Sequence, residues 1–493
     1  MSVLLTVLGW FFIAYSVAIN LSFVVLTVLA MLDFVRYRRR SQFAAYDESF
    51  AEPLARGVSV LMPAYNEELT IVASVEAMTS LRYPDFEVIV IDDGSKDATV
   101  TTMVEAFDMV ELPLAQAPMV VTKGEVLRCY VSTRGAMNLL LVCKTNGGKA
   151  DALNVGACAA RYPLVCNLDA DIILEEDALL RAARPMIESR EVAAVGGIVR
   201  VANGCEFERG RLVKVKTPKK ALPNFQIVEY LRAFIASRTA WSKLNCLLII
   251  SGAFGMFRRR DVIAAGGYLH ETVGEDMELV TRMHRILREK GRRYKISFVP
   301  DPVAWTEVPE TLRVLGRQRD RWHRGLMDTL VRHRRMLLRP RYGSVGLLAM
   351  PYFFLFEFLG PVIELLGYVA FVLGLALGYL NLPFALAFFL AAVGLGALLS
   401  TAAVFLEELR LERYPRWRDL LKLTFYGVLE NFGYRQINTV WRAKAIVSFL
   451  RKSTDWGSME RQGFDVGPVS KEVPPDAPKD GEGEKREVHS TGR

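Results

Sequence analysis

Two carboxylates one residue apart, Asp169 and Asp171, follow the apolar run Leu164-Val165-Cys166-Asn167-Leu168. The run reads as a buried parallel strand, and sheets of that class hold ligands just past the carboxyl ends of their strands. Residues i and i+2 of extended backbone face one side. A carboxylate pair there suits a hard divalent cation, which takes oxygen donors and often shares them with substrate phosphates. The same residues would also serve as a cap, since Asp favours helix starts and Leu174 to Ala183 has helical character. Upstream, Asn146-Gly147-Gly148-Lys149 is a glycine-rich turn with one lysine, following a strand expected over Met137 to Cys143. It is not a Walker A loop, which needs Gly where Cys143 stands and Ser or Thr where Ala150 stands. A lysine at a strand end can still serve a pyrophosphate or a base.

Further groups follow the same pattern of polar residues at apolar strand ends. Val58 to Pro63 predicts a strand, then Ala64-Tyr65-Asn66-Glu67-Glu68 a loop and a helix to about Ser80. Phe86 to Ile91 predicts a second strand, ending in Asp92-Asp93-Gly94-Ser95, with Asp97 placed to cap the next helix. Asp92 and Asp93 suit ribose hydroxyls or a base N–H, although Asp-Gly-Ser is also good turn chemistry. Leu247 to Ser251 predicts a strand entering Ser251-Gly252-Ala253-Phe254, where small residues let a substrate approach the backbone. Val273-Gly274-Glu275-Asp276 opens a helix over Met277 to Glu289. Asp276 there is either dipole compensation or a general base at a cleft. Gln318-Arg319-Asp320-Arg321-Trp322 brings cations beside an indole, suited to a diphosphate and a stacked ring. A basic membrane-proximal helix would look the same.

The elements that must position these groups alternate strand and helix, which predicts an α/β domain on a mostly parallel sheet. Ala193 to Val201 adds another strand, and Val110 to Ser132 an irregular, strand-like excursion. The chain has 493 residues, room for two or three domains, with a net charge of +8 and 51% hydrophobic residues. Its six cysteines form no C-x-x-C pair and no zinc-ligand spacing, so they read as reduced thiols of a cytosolic region. His270 begins His-Glu-Thr-Val-Gly, but the second histidine of a zincin helix is absent.

Val3 to Phe34 is apolar enough to span a membrane as a tilted helix, and too long for a signal peptide. The arginines at 36 and 38–40 place the following domain in the cytoplasm and the N-terminus outside. Leu347 to Leu406, weakly broken at Tyr379-Leu380-Asn381-Leu382-Pro383, predicts a hairpin of two more spans, with basic clusters on both sides. Glu357 and Glu364 fall on one face of its first arm, suited to a polar translocation path or to helix–helix hydrogen bonds. Asp419 to Leu450 predicts amphipathic helices at the interface. Pro223 to Asn245 reads as an interfacial or a surface helix. The tail from Lys471 to Arg493 has the composition of a disordered segment.

Six motifs in order carry a resemblance: Pro63 to Glu67, Asp92 to Ser95, Gly148-Lys149-Ala150-Asp151-Ala152-Leu153-Asn154, Asp169-Ala170-Asp171, Gly274-Glu275-Asp276 and Gln318 to Trp322. From Val58 to about Gly325 the chain resembles the membrane-embedded processive glycosyltransferases of family 2, such as cellulose, chitin, hyaluronan and poly-N-acetylglucosamine synthases. The resemblance implies a GT-A fold and inverting transfer from a nucleotide sugar, usually a UDP-sugar. It implies nucleotide binding by Ala64, Tyr65, Asn66, Glu67, Asp92, Asp93, Lys149 and Asp169. Asp169 and Asp171 would hold Mg2+ or Mn2+, and Asp276 would be the base. Ser251, Gly252, Phe254, Glu275, Gln318, Arg321 and Trp322 would hold the acceptor and the diphosphate. The implied partners are a nucleotide-sugar donor, a growing glycan or lipid acceptor, membrane lipid, and export or regulatory subunits, with no nucleic acid. Thr454-Asp455-Trp456-Gly457 loosely resembles the Trp-Gly ending of some synthases. Relatives usually carry Thr where Gly274 stands, and several have two or more N-terminal spans.

The expected division is an N-terminal helix over 1–35, a transferase domain over 53–335, a hairpin with interface helices over 336–455 and a tail over 456–493. A polymerising synthase, a single-transfer enzyme acting on a lipid carrier and a non-catalytic nucleotide-binding scaffold would share this frame. The scaffold predicts lost carboxylates, and all are retained.

Overall fold

The computed structural model describes residues 2–42, 57–113, 119–135, 138–208, 211–378, 382–411 and 416–451. The C-terminal tail, the Thr454–Gly457 motif and the Tyr379-Leu380-Asn381 part of the hairpin break lie outside the described residues.

Among the described residues twelve strands run in chain order: β1 Val58–Ala64, β2 Phe86–Asp92, β3 Met109–Leu112, β4 Val126–Ser132, β5 Asn138–Lys144, β6 Leu164–Leu168, β7 Ile172–Leu174, β8 Val192–Val201, β9 Glu206–Glu208, β10 Arg211–Lys214, β11 Phe254–Arg258 and β12 Lys295–Thr306. Ten form one sheet in the order β3-β4-β5-β2-β1-β6-β11-β8-β12-β7, and β9 and β10 form a separate antiparallel pair. β5, β2, β1 and β6 are mutually parallel. β11 inserts antiparallel between β6 and β8, and β12 is parallel to β8. All five residues of β6 and all ten of β8 are buried. That is the burial expected of strands covered by helices on both faces, and it explains why they read as apolar runs without alternation.

Several expectations change. The Val110–Ser132 excursion is the antiparallel pair β3–β4, which extends the sheet beyond β5. The apolar run Leu247–Ser251 forms no strand; the ladder begins three residues beyond it, at Phe254, where β11 pairs with β6. Leu174 closes the short strand β7, paired with β12, and the helix expected there starts at Ala178. The helix Ala221–Leu231, continued by a π-helical turn Arg232–Arg238, is not a surface helix. Its residues Ile227, Val228, Leu231, Phe234 and Ile235 are buried, and it packs against β8 and against the long N-terminal helix.

That N-terminal helix is Ser2–Gln42. Among the described residues two segments are long and apolar enough to cross a membrane, Val7–Asp33 with mean hydropathy 2.2 and Val345–Ala376 with 2.0. They pack together: Tyr15 Oη donates to the Leu355 carbonyl at 2.9 Å. Beyond them come the helices Leu382–Phe389 and Leu395–Leu411, then Trp417–Leu429 and Tyr434–Leu450. Trp417, Leu421 and Phe425, four residues apart, expose one apolar stripe. Glu364 accepts from Arg435 Nη2 at 2.8 Å and from Thr439 Oγ1 at 2.9 Å. Glu357 accepts from Arg442 Nη2 at 2.8 Å. Both carboxylates therefore fasten the helix Tyr434–Leu450 to the second apolar segment.

Candidate active site

The parallel register sets the ends of β1, β2 and β5 side by side, with Ala64 opposite Asp92 and Asp92 opposite Cys143. β6 ends next to β1. Because β11 runs the other way, Ser251-Gly252-Ala253 enters it at this same edge, and Phe254 pairs with Leu168. After Leu168 the chain turns at once, with the Ile172 N–H donating to the Asp169 carbonyl at 3.1 Å. Asp169 and Asp171 thus sit on a tight turn rather than on extended backbone.

Lys149 opens the helix Lys149–Ala159 and reaches across to this turn. Its Nζ lies 2.5 Å from Asp169 Oδ1 and 3.9 Å from Glu275 Oε1. It also donates to the Gly252 carbonyl at 3.3 Å. The N–H of the same glycine donates to Asp276 Oδ2 at 2.9 Å, while Asp276 Oδ1 accepts from the Met277 N–H at 2.8 Å. Gly252 therefore joins the lysine to Asp276 through its two backbone polar groups. A Cβ there would stand 3.3 Å from both Lys149 Nζ and Asp276 Oδ2. Burial pushes the Glu275 carboxyl up to about 7, against the pull of Lys149 and with the help of Asp276. Burial opposes the charge on Lys149, but the attraction of Asp169, Glu275 and Asp276 outweighs it and raises the ammonium above its ordinary value.

The loops after β1 and β2 are tied to each other. The Asn66 N–H donates to Ser95 Oγ at 2.9 Å, and Asn66 Oδ1 accepts from the Lys96 N–H at 2.8 Å. The Glu67 N–H donates to Thr99 Oγ1 at 2.9 Å. Ala64 is buried and its carbonyl accepts from the Asp93 N–H, whereas Tyr65 keeps 44% of its surface exposed. Asp97 was expected to cap the next helix; the cap residue is Ala98, and Asp97, one place earlier, accepts from the Thr99 N–H at 3.0 Å. Asp92 is buried and accepts from the Ser95 N–H, and burial raises its pKa.

The Asp93 carboxylate is bonded within the protein. Its two oxygens accept from the Gly147 N–H at 2.9 Å and the Gly148 N–H at 2.7 Å, and Lys144 Nζ bonds to it as well. Lys144 is fully buried and also pairs with Asp151 at 2.8 Å. Asp151 accepts from the Lys123 and Gly124 N–H groups at 2.7 and 2.9 Å and meets His270 Nε2 at 3.0 Å. The glycine-rich turn is thus held by a buried carboxylate–lysine–carboxylate chain, and its Gly147 and Gly148 N–H groups are already satisfied. Phe254 also departs from expectation: it is fully buried between β6 and β8 and lines no open site.

The last motif lies on the helix Leu312–Arg332. Gln318, Arg321 and Trp322 share a face by their spacing. Gln318 is buried and its Oε1 has no partner among the described residues. Trp322 is 44% exposed, with the Arg319 guanidinium 4.5 Å from its ring centroid. Arg319 also pairs with Glu229 at 2.7 Å. This helix crosses the start of the helix Glu275–Glu289 at two glycines: a Cβ on Gly274 would lie 2.8 Å from the Gly325 Cα, and the converse holds.

Lys144 and Arg238 escaped the sequence reading, and Asp151 was part of a motif there without a role of its own. A lysine closing an apolar strand, seven residues before an aspartate, was the only trace of the Lys144–Asp151 pairing. Arg238 ends the π-helical turn, lies 3.9 Å over the Phe234 ring and has a buried Nη1 without a partner among the described residues. Burial lowers its pKa to about 10, against the attraction of Asp276.

Asp169 and Asp171 supply hard oxygen donors, and among the described residues no group of three or more His, Cys, Asp or Glu side chains gathers as a metal site. A two-carboxylate set fits a cation that completes its shell from phosphate oxygens and water.

A model of the family described as glycosyltransferase like family 2 matches residues 55–325. The chain is 27% identical over 281 residues to the poly-beta-1,6-N-acetyl-D-glucosamine synthase of Staphylococcus epidermidis, over 56% of each chain. It is 29% identical over 273 residues to a Bacillus subtilis protein named probable glycosyltransferase YdaM, over 54% of each. These matches span about half the length of the curated relatives. A mannosyltransferase from Pyrobaculum calidifontis, solved in complex with GDP-Man and Mn2+, is similar over 86% of this chain and 99% of its own, at 20% identity and a TM-score of 0.49. The family match covers more than half of the chain and takes in all six motifs. The chain belongs to glycosyltransferase family 2.

Proposed function

We propose that this enzyme extends a glycan from a UDP-sugar donor on the cytoplasmic side of a membrane, inverting the anomeric centre, and helps to pass the product across. The observation that carries the reading is the convergence of Lys149 and Asp276 on the Gly252 backbone, with Asp169 2.5 Å from the lysine. It sets a cation-and-carboxylate pair for a leaving diphosphate beside a second carboxylate for an incoming hydroxyl. In the step, an acceptor oxygen bonds to the anomeric carbon, the bond to the diphosphate breaks, and the hydroxyl proton passes to Asp276. Lys149 holds charge on the donor side, and Trp322 offers its exposed face to the acceptor ring. Asp169 and Asp171 would hold Mg2+ or Mn2+, which when bound neutralises charge on the diphosphate. Tyr65 and Asp92 face the nucleotide. Asp93 acts through the glycine-rich turn.

N-acetylglucosamine is the preferred sugar, because curated relatives are named as synthases of its polymer. Three spans with the N-terminus outside would put the sheet domain in the cytoplasm, and the stripe Trp417, Leu421, Phe425 would lie in the interface. Export subunits would complete the path. Membranes carrying the enzyme are incubated with a panel of labelled UDP-sugars and Mg2+ or Mn2+, and the product is sized. High-molecular-weight glycan that disappears in Asp276→Asn is expected. A single-sugar lipid product would replace polymerisation by single transfer, and binding without turnover would favour the scaffold.

A further inference from the structure

We propose that Arg442 is a positioning residue that couples the second apolar segment, Val345–Ala376, to the turn of the Leu312–Arg332 helix that presents Trp322 to the acceptor. The inference rests on the functional reading above, in which Trp322 meets the acceptor.

The helix Tyr434–Leu450 touches the Leu312–Arg332 helix at three levels. A Cβ on Gly316 would stand 3.0 Å from the Trp441 indole, which therefore packs against bare backbone there. One turn on, Glu229 accepts from both Arg319 Nη2 at 2.7 Å and Tyr434 Oη at 2.9 Å. At the third level, Arg442 Nε donates to His323 Nδ1 at 3.5 Å, a long contact on the residue next to Trp322. From the same guanidinium, Nη2 donates to the Glu357 carbonyl at 2.7 Å and to its carboxylate at 2.8 Å. One planar group thus spans the apolar segment and the acceptor helix. Only Arg has donors in a rigid fork that reaches both.

His323 shows what this contact fixes. The ring is buried, and burial lowers its pKa to about 3, so it is neutral at physiological pH. Accepting from Arg442 at Nδ1 leaves the proton on Nε2, which has no partner among the described residues. Without the guanidinium the ring gains a second tautomer and rotation about χ2 on the helical turn that carries Trp322. A shift of the apolar segment moves Arg442 through Glu357 and reaches the acceptor platform without crossing the donor site.

The test compares the full chain in detergent with Arg442→Lys, which can keep the Glu357 ion pair but not the second arm, and with Asp276→Asn. Donor KM, donor hydrolysis to water, transfer to an oligosaccharide primer, product length and the thermal midpoint are measured. Arg442→Lys is expected to keep donor KM and hydrolysis, lower transfer to the primer about tenfold, the equivalent of one charge-assisted hydrogen bond, and shorten the product. Unchanged transfer and length overturn the coupling. A parallel fall in hydrolysis, transfer and thermal midpoint also overturns it, because that is general destabilisation. Transfer that survives in Asp276→Asn sinks the functional reading instead.

Discussion

Lys144→Met removes the cation from the buried chain that joins Asp93 to Asp151 while nearly preserving side-chain length. Both carboxylates are buried, and the lysine has no exposed surface. Breaking a buried pair by deleting one partner costs about 3–5 kcal/mol, because a charge is left in a poorly solvating place. Here two carboxylates lose their shared cation, although backbone N–H donors remain on each, so about 3 kcal/mol is the working figure. For a domain of this size each kcal/mol moves the midpoint by roughly 2–4 °C, which gives a fall of about 6–12 °C by thermal unfolding of the purified chain. The triple variant Asp93→Asn, Lys144→Met, Asp151→Asn removes the uncompensated charges and should regain most of the loss. Its donor affinity should stay low, because neutral side chains hold the Gly147–Gly148 turn less firmly. A midpoint within 2 °C of wild type for Lys144→Met would refute the argument that this chain organises the strand-end loops.

Four further outcomes are expected. Asp276→Asn should lower kcat by about 10²- to 10⁴-fold with donor KM little changed, measured by steady-state kinetics. Glu275 has its pKa raised to about 7 in the folded chain from an ordinary 4.5, so the stability it contributes is full below pH 4.5 and is lost as pH rises through 7; Glu275→Gln should flatten the thermal midpoint across that window. Trp322→Ala should raise primer KM about tenfold, the scale of one aromatic contact, and leave donor KM alone. Chelation should abolish transfer, and Asp171→Asn should raise the Mn2+ concentration needed to restore it, read by metal titration of activity.

Legibility in the sequence followed burial. β1, β2, β5 and β6 are apolar runs closed by polar residues, and the structure keeps each within a residue of its expected place. Asp169 was visible because it follows such a run directly, Lys149 because a glycine-rich turn after one carries it, and Asp276 because it stands at a helix start. Leu247–Ser251 misled because its apolar residues are buried without joining a ladder, and an apolar run alone does not say which. The Leu174 strand was hidden because its partner, β12, lies 130 residues away. The role of Asp93 was hidden likewise, since Lys144 and the Gly147 N–H are distant in sequence and nothing local signals a buried cation. Glu357 and Glu364 could be marked as intramembrane carboxylates, but their partners on the Tyr434–Leu450 helix could not be read from spacing.

The bare contact between Gly274 and Gly325 sets a limit on redesign. Threonine, common at the first of these places among relatives, looks like a repair of an imperfect motif. Here it would act as a wedge: a Cβ 2.8 Å from the opposing Cα must drive the Leu312–Arg332 helix outward, and Asp276 and Trp322 ride on opposite sides of that seam. Each glycine is therefore the condition for the other's place in the seam. A consensus substitution at either one alone would spread the gap between the group that takes the proton and the surface that holds the sugar.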